Sequence, residues 1–370
     1  MDRSELRGLV DVHCHPNDAF DGLDVERMRC EISGLEVGTV CVMSSSLVSQ
    51  SVTSQLSVLD KVIPAYGLHP WFSHSVSVST SQTDKLVHYK ELFGGIMMDQ
   101  SDVAWIESHL DGLPDPIGLD SFLRGLRHHL ENGKDSCCMV GEVGLDKSFT
   151  LQLKRLDCDR IERSNLKVPV EHQLVLLESQ IDLAIELSKN VSLHGVHCQQ
   201  EILQLFRRLR IRYGSRLTGS YGSELRLKSD SDSDQEDGIR ICWHSAFISV
   251  ETLRQSLRIL PDTVYFSYGI VIYESRSCLK RLEELIRNTP DDRLLIESDW
   301  AEDPRLIDSK LIQIIEKISE SKGWTSDRTV EQLQKNWHSF FPWDRRAMNQ
   351  ISNKTEGGGG GRPRDIGKDK

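Results

Sequence analysis

The chain has 370 residues, with 45 basic and 56 acidic side chains and a net charge of −11. That length suits one large α/β barrel or two ordinary domains, and the acidic balance argues against holding nucleic acid by a broadly basic surface. No apolar run is long enough to span a bilayer, no basic-then-apolar leader opens the chain, and the nine cysteines show no disulfide or C-x-x-C spacing, so a reducing compartment, cytoplasm or nucleus, is expected.

Leu9, Val10 and Val12 read as a strand buried on both faces that ends in His13-Cys14-His15. Alternate side chains of a strand point the same way. His13 and His15 therefore leave it together, close enough to grip one metal ion, for which neutral imidazole is the commonest ligand. A helix is expected over 25–36, then a second strand over 39–43 ending at three serines, and a helical stretch to about residue 61. The third strand, 62–67, delivers His69-Pro70-Trp71 into a loop. Proline is awkward inside a central strand, which places Pro64 near this strand's start. Residues 73–83 read as loop, and helical segments continue to about residue 132.

The fourth strand and its exit, 137–146, carry Glu142, and a charged insertion follows. Over 170–189, Leu174, Leu177, Ile181, Ala184 and Ile185 recur at helical steps behind Pro169, which can open a helix. The fifth strand ends at His194, and a helix over 199–212 carries Arg207, Arg208, Arg210 and Arg212, read as a solvated face. Residues 229–237 form an acidic low-complexity run with Ser229, Ser231 and Ser233, expected to be a disordered surface loop suited to an acidophilic kinase. The sixth strand, 239–244, ends at His244; the seventh is 264–269; the eighth, 294–299, ends at Asp299. Helices run to about residue 341, and a Gly-rich tail over 346–370 is expected to be disordered.

Eight strands alternating with helices predict a single (β/α)8 TIM barrel over 1–345 with surface insertions. Active sites of such barrels lie at the C-terminal strand ends. His13, His15, Glu142, His194, His244 and Asp299 all stand where an apolar run stops, with His69 beside them. Singly each could be a core histidine or a helix cap. Together they suit divalent metal ions, and Glu142 can offer one oxygen to each of two. Two ions ~3.5–4 Å apart clamp the attacking and leaving oxygens of a displacement, which suits phosphodiester hydrolysis.

Asp11-Val12-His13-Cys14-His15, Gly67-Leu68-His69-Pro70, Val140-Gly141-Glu142-Val143-Gly144-Leu145-Asp146, Val191-Ser192-Leu193-His194, Trp243-His244-Ser245-Ala246-Phe247 and Leu294-Leu295-Ile296-Glu297-Ser298-Asp299 resemble, in order, the motifs of the TatD-like metal-dependent deoxyribonucleases of the amidohydrolase-like superfamily. Gln173 and the segment from Asn336 to Phe341 also look like that family, and the insertions resemble its fungal branch, some of whose members are described as partners of an anaphase-promoting-complex subunit. The resemblance implies a binuclear site of Mg²⁺, Mn²⁺ or Zn²⁺. In it His13, His15, Glu142 and Asp299 hold one ion, and Glu142, His194 and His244 the other. It also implies that Asp299 orients the attacking water or takes its proton, that His69 contacts the scissile phosphate, and that the substrate is DNA, often degraded from the 3′ end.

Three segments depart from the family pattern. Gly195-Val196-His197 stands where Cys-Arg-Asp is usual, Ser245-Ala246-Phe247 where a Phe-Ser-Gly segment is usual, and Trp300-Ala301-Glu302 where Ala-Pro-Tyr/Phe is usual. The ligands survive while the substrate-contacting groups differ. That leaves two alternatives to a deoxyribonuclease: an amidohydrolase or esterase acting on a small molecule, and a catalytically weak adaptor that binds a protein partner.

Overall fold

The computed structural model describes residues 3–16, 24–79, 84–94, 98–132, 137–154, 161–218, 238–273 and 275–342. The acidic run at 229–237 and the tail at 346–370 lie outside these residues. Eight parallel strands pair in chain order: β1 (Val10–Cys14), β2 (Thr39–Met43), β3 (Val62–Tyr66), β4 (Met139–Asp146), β5 (Val191–Val196), β6 (Ile241–Trp243), β7 (Val264–Tyr268) and β8 (Leu294–Ile296). Helices cover their outer face, as the alternating pattern predicts. Such strands are buried on both faces, which is why they read as continuous apolar runs.

The seam between β8 and β1 closes beyond the regular ladder. Asp299 N donates to His13 O and His15 N to Trp300 O, each at 3.0 Å. The fully buried Asp11 carboxylate spans the same seam, accepting from Ser298 N at 2.9 Å and from Ser298 Oγ at 2.5 Å. It also accepts from His13 N at 3.2 Å.

Two register slips decide which residues face the barrel interior. β1 advances from Asp11 to Cys14 while β2 advances only from Val40 to Val42. β4 advances from Val140 to Val143 while β5 advances from Val191 to Leu193. Each slip is one extra residue, and an extra residue reverses the alternation beyond it. Val10, Val12, Met139 and their inward neighbours Cys41, Met43, Ile63 and Ala65 fill the barrel. Past the slips, His13 and Glu142 turn inward, while Cys14, Val143 and Leu145 join the strand–helix core. Trp337, Phe340 and Phe341 at the end of the last helix, Ser326–Phe340, plug the barrel's other end. Truncating one of these rings should cost about 3–5 kcal/mol.

Several elements differ from expectation. Pro64 is the middle residue of β3, not its start. Val40 N donates to Lys61 O and Ser44 N to Ala65 O, so odd-numbered β3 residues bond to β2 and Pro64 turns toward β4. Because β4 begins opposite Ala65, the missing N–H faces a stretch where that pairing has not started. The stretch expected as loop contains a helical turn, Pro70–Ser75, and a short strand, Val76–Ser77, paired with Ile117–Gly118. The charged insertion contains an antiparallel pair, Gln152–Lys154 with Ile161–Arg163. A satellite core of Tyr89, Ile106, Leu113, Leu151 and Leu166 ties this insertion to helices Lys85–Leu92 and Gln100–His109. Among the described residues no helix is long and apolar enough to cross a membrane.

Candidate metal centre

All seven singled-out residues meet at the C-terminal mouth of the barrel. Glu142, buried at the exit of the β4 slip, is the hub. Its Oε2 lies 3.0 Å from His15 Nε2 and 3.5 Å from His13 Nε2. Its Oε1 lies 2.6 Å from His244 Nε2, 2.7 Å from His194 Nδ1 and 3.4 Å from His69 Nε2. His13 Nε2 is 3.8 Å from Asp299 Oδ1. Three groups of donor atoms, each within 4.8 Å, can hold an ion: His13, His15 and Asp299; His69, Glu142 and His194; His13, His244 and Glu297.

The rear nitrogens test whether the donors fit a cation. Ligating histidines normally turn the second ring nitrogen to an oxygen that fixes tautomer and orientation. His13 Nδ1 lies 2.7 Å from Ser192 Oγ. His194 Nε2 faces Asp146 Oδ2 at 3.6 Å and His244 Nδ1 faces Glu297 Oε1 at 3.9 Å. In front, His13 Nε2 and His15 Nε2 converge to 3.0 Å, and His194 Nδ1 and His244 Nε2 to 3.3 Å. Ring nitrogens that converge in front, with a hydroxyl bonded behind His13 and carboxylates near the rear of His194 and His244, suit a cation, so the donor set fits one.

His69 differs from the others. Its Nδ1 accepts from Trp71 N at 3.1 Å, so the neutral ring carries its proton on Nε2 and is a donor. Gly144 lets β4 approach His194: a Cβ there would lie 2.1 Å from His194 O.

Burial sets much of the electrostatics. It pushes His13 down to about 3 and His69 down to about 4. Burial would raise Glu142, but its electrostatic and hydrogen-bonding interactions with the surrounding His69, His244 and His13 rings hold it well below the usual carboxylate range. For His194 burial is outweighed by Asp146 and Glu142, which lift it to about 9. Glu297, one layer deeper, is raised by burial to about 7.

Residues 10–342 match the family described as TatD related DNase. The chain belongs to that family. It is 30% identical to the Cut9-interacting protein scn1 of Schizosaccharomyces pombe over 91% of this chain and 99% of that one. It is 26% identical to an uncharacterized deoxyribonuclease of Saccharomyces cerevisiae, over 80% of this chain and 84% of the relative. The solved structure of YjjV, a TatD homolog from Escherichia coli, shares the fold with a TM-score of 0.55 at 17% identity, covering 91% of this chain and 99% of that one. The chain is thus a metal-dependent hydrolase of the TatD type built as a (β/α)8 barrel.

Within this TatD barrel the expected placement of Asp299 needs one correction. β8 stops at Ile296, and Asp299 sits beyond it with φ +47°. Ser245 after β6 and His197 after β5 are also left-handed, at +40° and +56°. Such backbone is uncommon for non-glycine residues and gathers at functional sites. The expected alternation still holds: Ser245 Oγ reaches both Glu297 Oε1 at 2.6 Å and Asp299 Oδ2 at 2.7 Å.

Ser192, Ser245, Glu297 and Asp146 act behind the ligands and were not singled out as site residues. Asp146 has a signal in sequence, since it follows Glu142 by an even step. It accepts from Trp71 Nε1 at 2.7 Å and from Ser148 Oγ at 2.6 Å. Gln173 fixes its backbone, with Oε1 accepting from Asp146 N at 2.8 Å and Nε2 donating to Asp146 O at 3.0 Å. The arginine cluster is not part of the site: Arg208 and Arg212 pair with Glu178 and Asp182, and Arg210 donates to the carbonyls of Arg258 and Ile259.

Proposed function

We propose that the chain is a two-ion phosphodiesterase that hydrolyses DNA, degrading it from the 3′ end. The observation that carries this reading is the fork of Glu142, whose two oxygens face two different histidine sets. His13, His15, Asp299 and Glu142 Oε2 would hold one ion, and His194, His244 and Glu142 Oε1 the other. Bound there, divalent cations supply Lewis acidity and neutralise charge on the attacking and leaving oxygens. The imidazole-rich set suits Zn²⁺ better than Mg²⁺.

The chain's own residues supply the rest. His69 presents a donor at Nε2, aimed into the site to hold a non-bridging phosphate oxygen. The Asp299 carboxylate, held at Oδ2 by Ser245, would orient the attacking water and take its proton. Glu297 and Asp146 place carboxylate charge near the rear nitrogens of His244 and His194, at 3.9 Å and 3.6 Å.

Purified protein should contain close to two divalent ions per chain. Chelation should abolish cleavage of single-stranded DNA, and Mn²⁺ or Mg²⁺ should restore it. Removing both fork oxygens in Glu142→Ala should lower ion content and reduce kcat/KM by ~10³ or more, since several kcal/mol of charge stabilisation is lost. Wild-type nuclease activity in that variant would assign the activity to another site. A second reading, recruitment of a protein partner, is supported by the match along nearly the whole length of a relative named for interacting with Cut9. Partner capture that survives Glu142→Ala, in a chain that cuts no phosphodiester with any metal, would favour it.

A further inference from the structure

A cavity of about 670 Å³ opens over the candidate metal centre, and among the described residues none that lines it is Lys or Arg. Nucleic acid held by its phosphates needs such cations. What the wall offers instead is an apolar rim of Val48, Trp71, Phe72 and Ile272, with Trp71 still 41% exposed. Scattered apolar side chains on a surface are ordinary, but Trp71 is held in place. Its Nε1 donates to Asp146 Oδ2 at 2.7 Å, and its ring stacks on Phe149 with centroids 5.1 Å apart and planes 15° from parallel. Its centroid is 4.7 Å from that of His69, and its backbone N–H fixes the His69 ring. One turn, Pro70–Ser75 with His69 as its cap, therefore carries both the proposed phosphate donor and a rigid aromatic surface beside it.

We propose that Trp71, backed by Phe149, is a stacking platform for a nucleobase next to the scissile phosphate, so that the site takes unpaired nucleotides at a strand end. This rests on the phosphodiesterase reading above. A base inside a duplex has both faces covered by its neighbours, so only an unpaired base can present a face to the ring. Stacking of this kind is indifferent to base identity, because every base has a π-face.

The experiment compares wild type, Trp71→Ala and Trp71→Phe on a single-stranded oligonucleotide and on the same strand with an abasic terminal nucleotide. Initial rates give KM and kcat, and fluorescence anisotropy in chelator gives binding without turnover. Trp71→Ala should raise KM and Kd for the intact strand by ~5–150-fold more than for the abasic strand, the ratio equivalent to one stacked base. Trp71→Phe keeps a ring but loses the bond to Asp146, and should stay close to wild type. Equal losses on both strands, or a Trp71→Phe as impaired as Trp71→Ala, would show that Trp71 acts through Asp146 and would overturn the platform. If wild type cuts neither strand, the phosphodiesterase reading fails, and the anisotropy series alone decides whether the ring binds a base.

Discussion

Asp11 permits a sharp test of how the barrel closes. Its carboxylate is fully buried and touches Ser298 N, Ser298 Oγ and His13 N. Burial raises it from 3.8 to about 7. Below that value the native side chain is a neutral acid. Oδ1 then accepts from the two backbone N–H groups, and the O–H on Oδ2 takes over as donor toward Ser298 Oγ. Asparagine reproduces this pattern with its own amide, whereas alanine leaves Ser298 N and His13 N without an acceptor. Each buried donor so orphaned costs ~1–3 kcal/mol, so Asp11→Ala should lose ~2–6 kcal/mol at pH 5.

The pH dependence has a definite sign. A folded pKa raised above the unfolded one contributes stability that is full below 3.8 and is lost as pH rises through about 7. Asparagine does not titrate. Relative to wild type, Asp11→Asn should therefore gain on the order of 3 kcal/mol between pH 5 and pH 8. Urea unfolding of the three proteins in chelator at both pH values reads this directly, and the wild-type-minus-Asn difference cancels other titrating groups. If Asn costs as much as Ala, or if the difference ignores pH, the ionised charge itself closes the seam and the reasoning fails.

Two other changes probe the site. Asp299→Asn keeps an oxygen for Ser245 but removes the base; the melting temperature should hold and the rate should fall by ~10²–10⁴, and an undiminished rate would move the base elsewhere. Gly144→Ala would place a Cβ 2.1 Å from His194 O and 2.7 Å from His194 C, backbone atoms that cannot swing aside. It should cost about 3 kcal/mol or more and lower ion content, read by denaturation and elemental analysis.

Much of the architecture was legible because it is local. Apolar runs ending in polar residues marked all eight strands, and Pro169 marked the opening of the long helix Val170–Glu186. Knowing that eight such units make a barrel was enough to bring His13, His15, His69, Glu142, His194, His244 and Asp299 to one mouth. The insertions were less legible. The hairpin Gln152–Lys154 with Ile161–Arg163 is short and charged, and it is held by a satellite core whose members are far apart in sequence.

The sequence by itself determined which residues stand at the strand ends, because strand period and turn chemistry are written in neighbouring residues. Only the tertiary structure decided which way they face and what backs them. The slips in β1 and β4 turn His13 and Glu142 inward after Val12 and Gly141, and a slip exists only in the pairing of two strands. Pro64 sits mid-strand because the neighbouring strand starts late. Ser192 behind His13, Asp146 behind His194 and Glu297 behind His244 come from segments distant in the chain. Such partners are set by register and ring closure, which depend on long-range packing rather than on any local pattern.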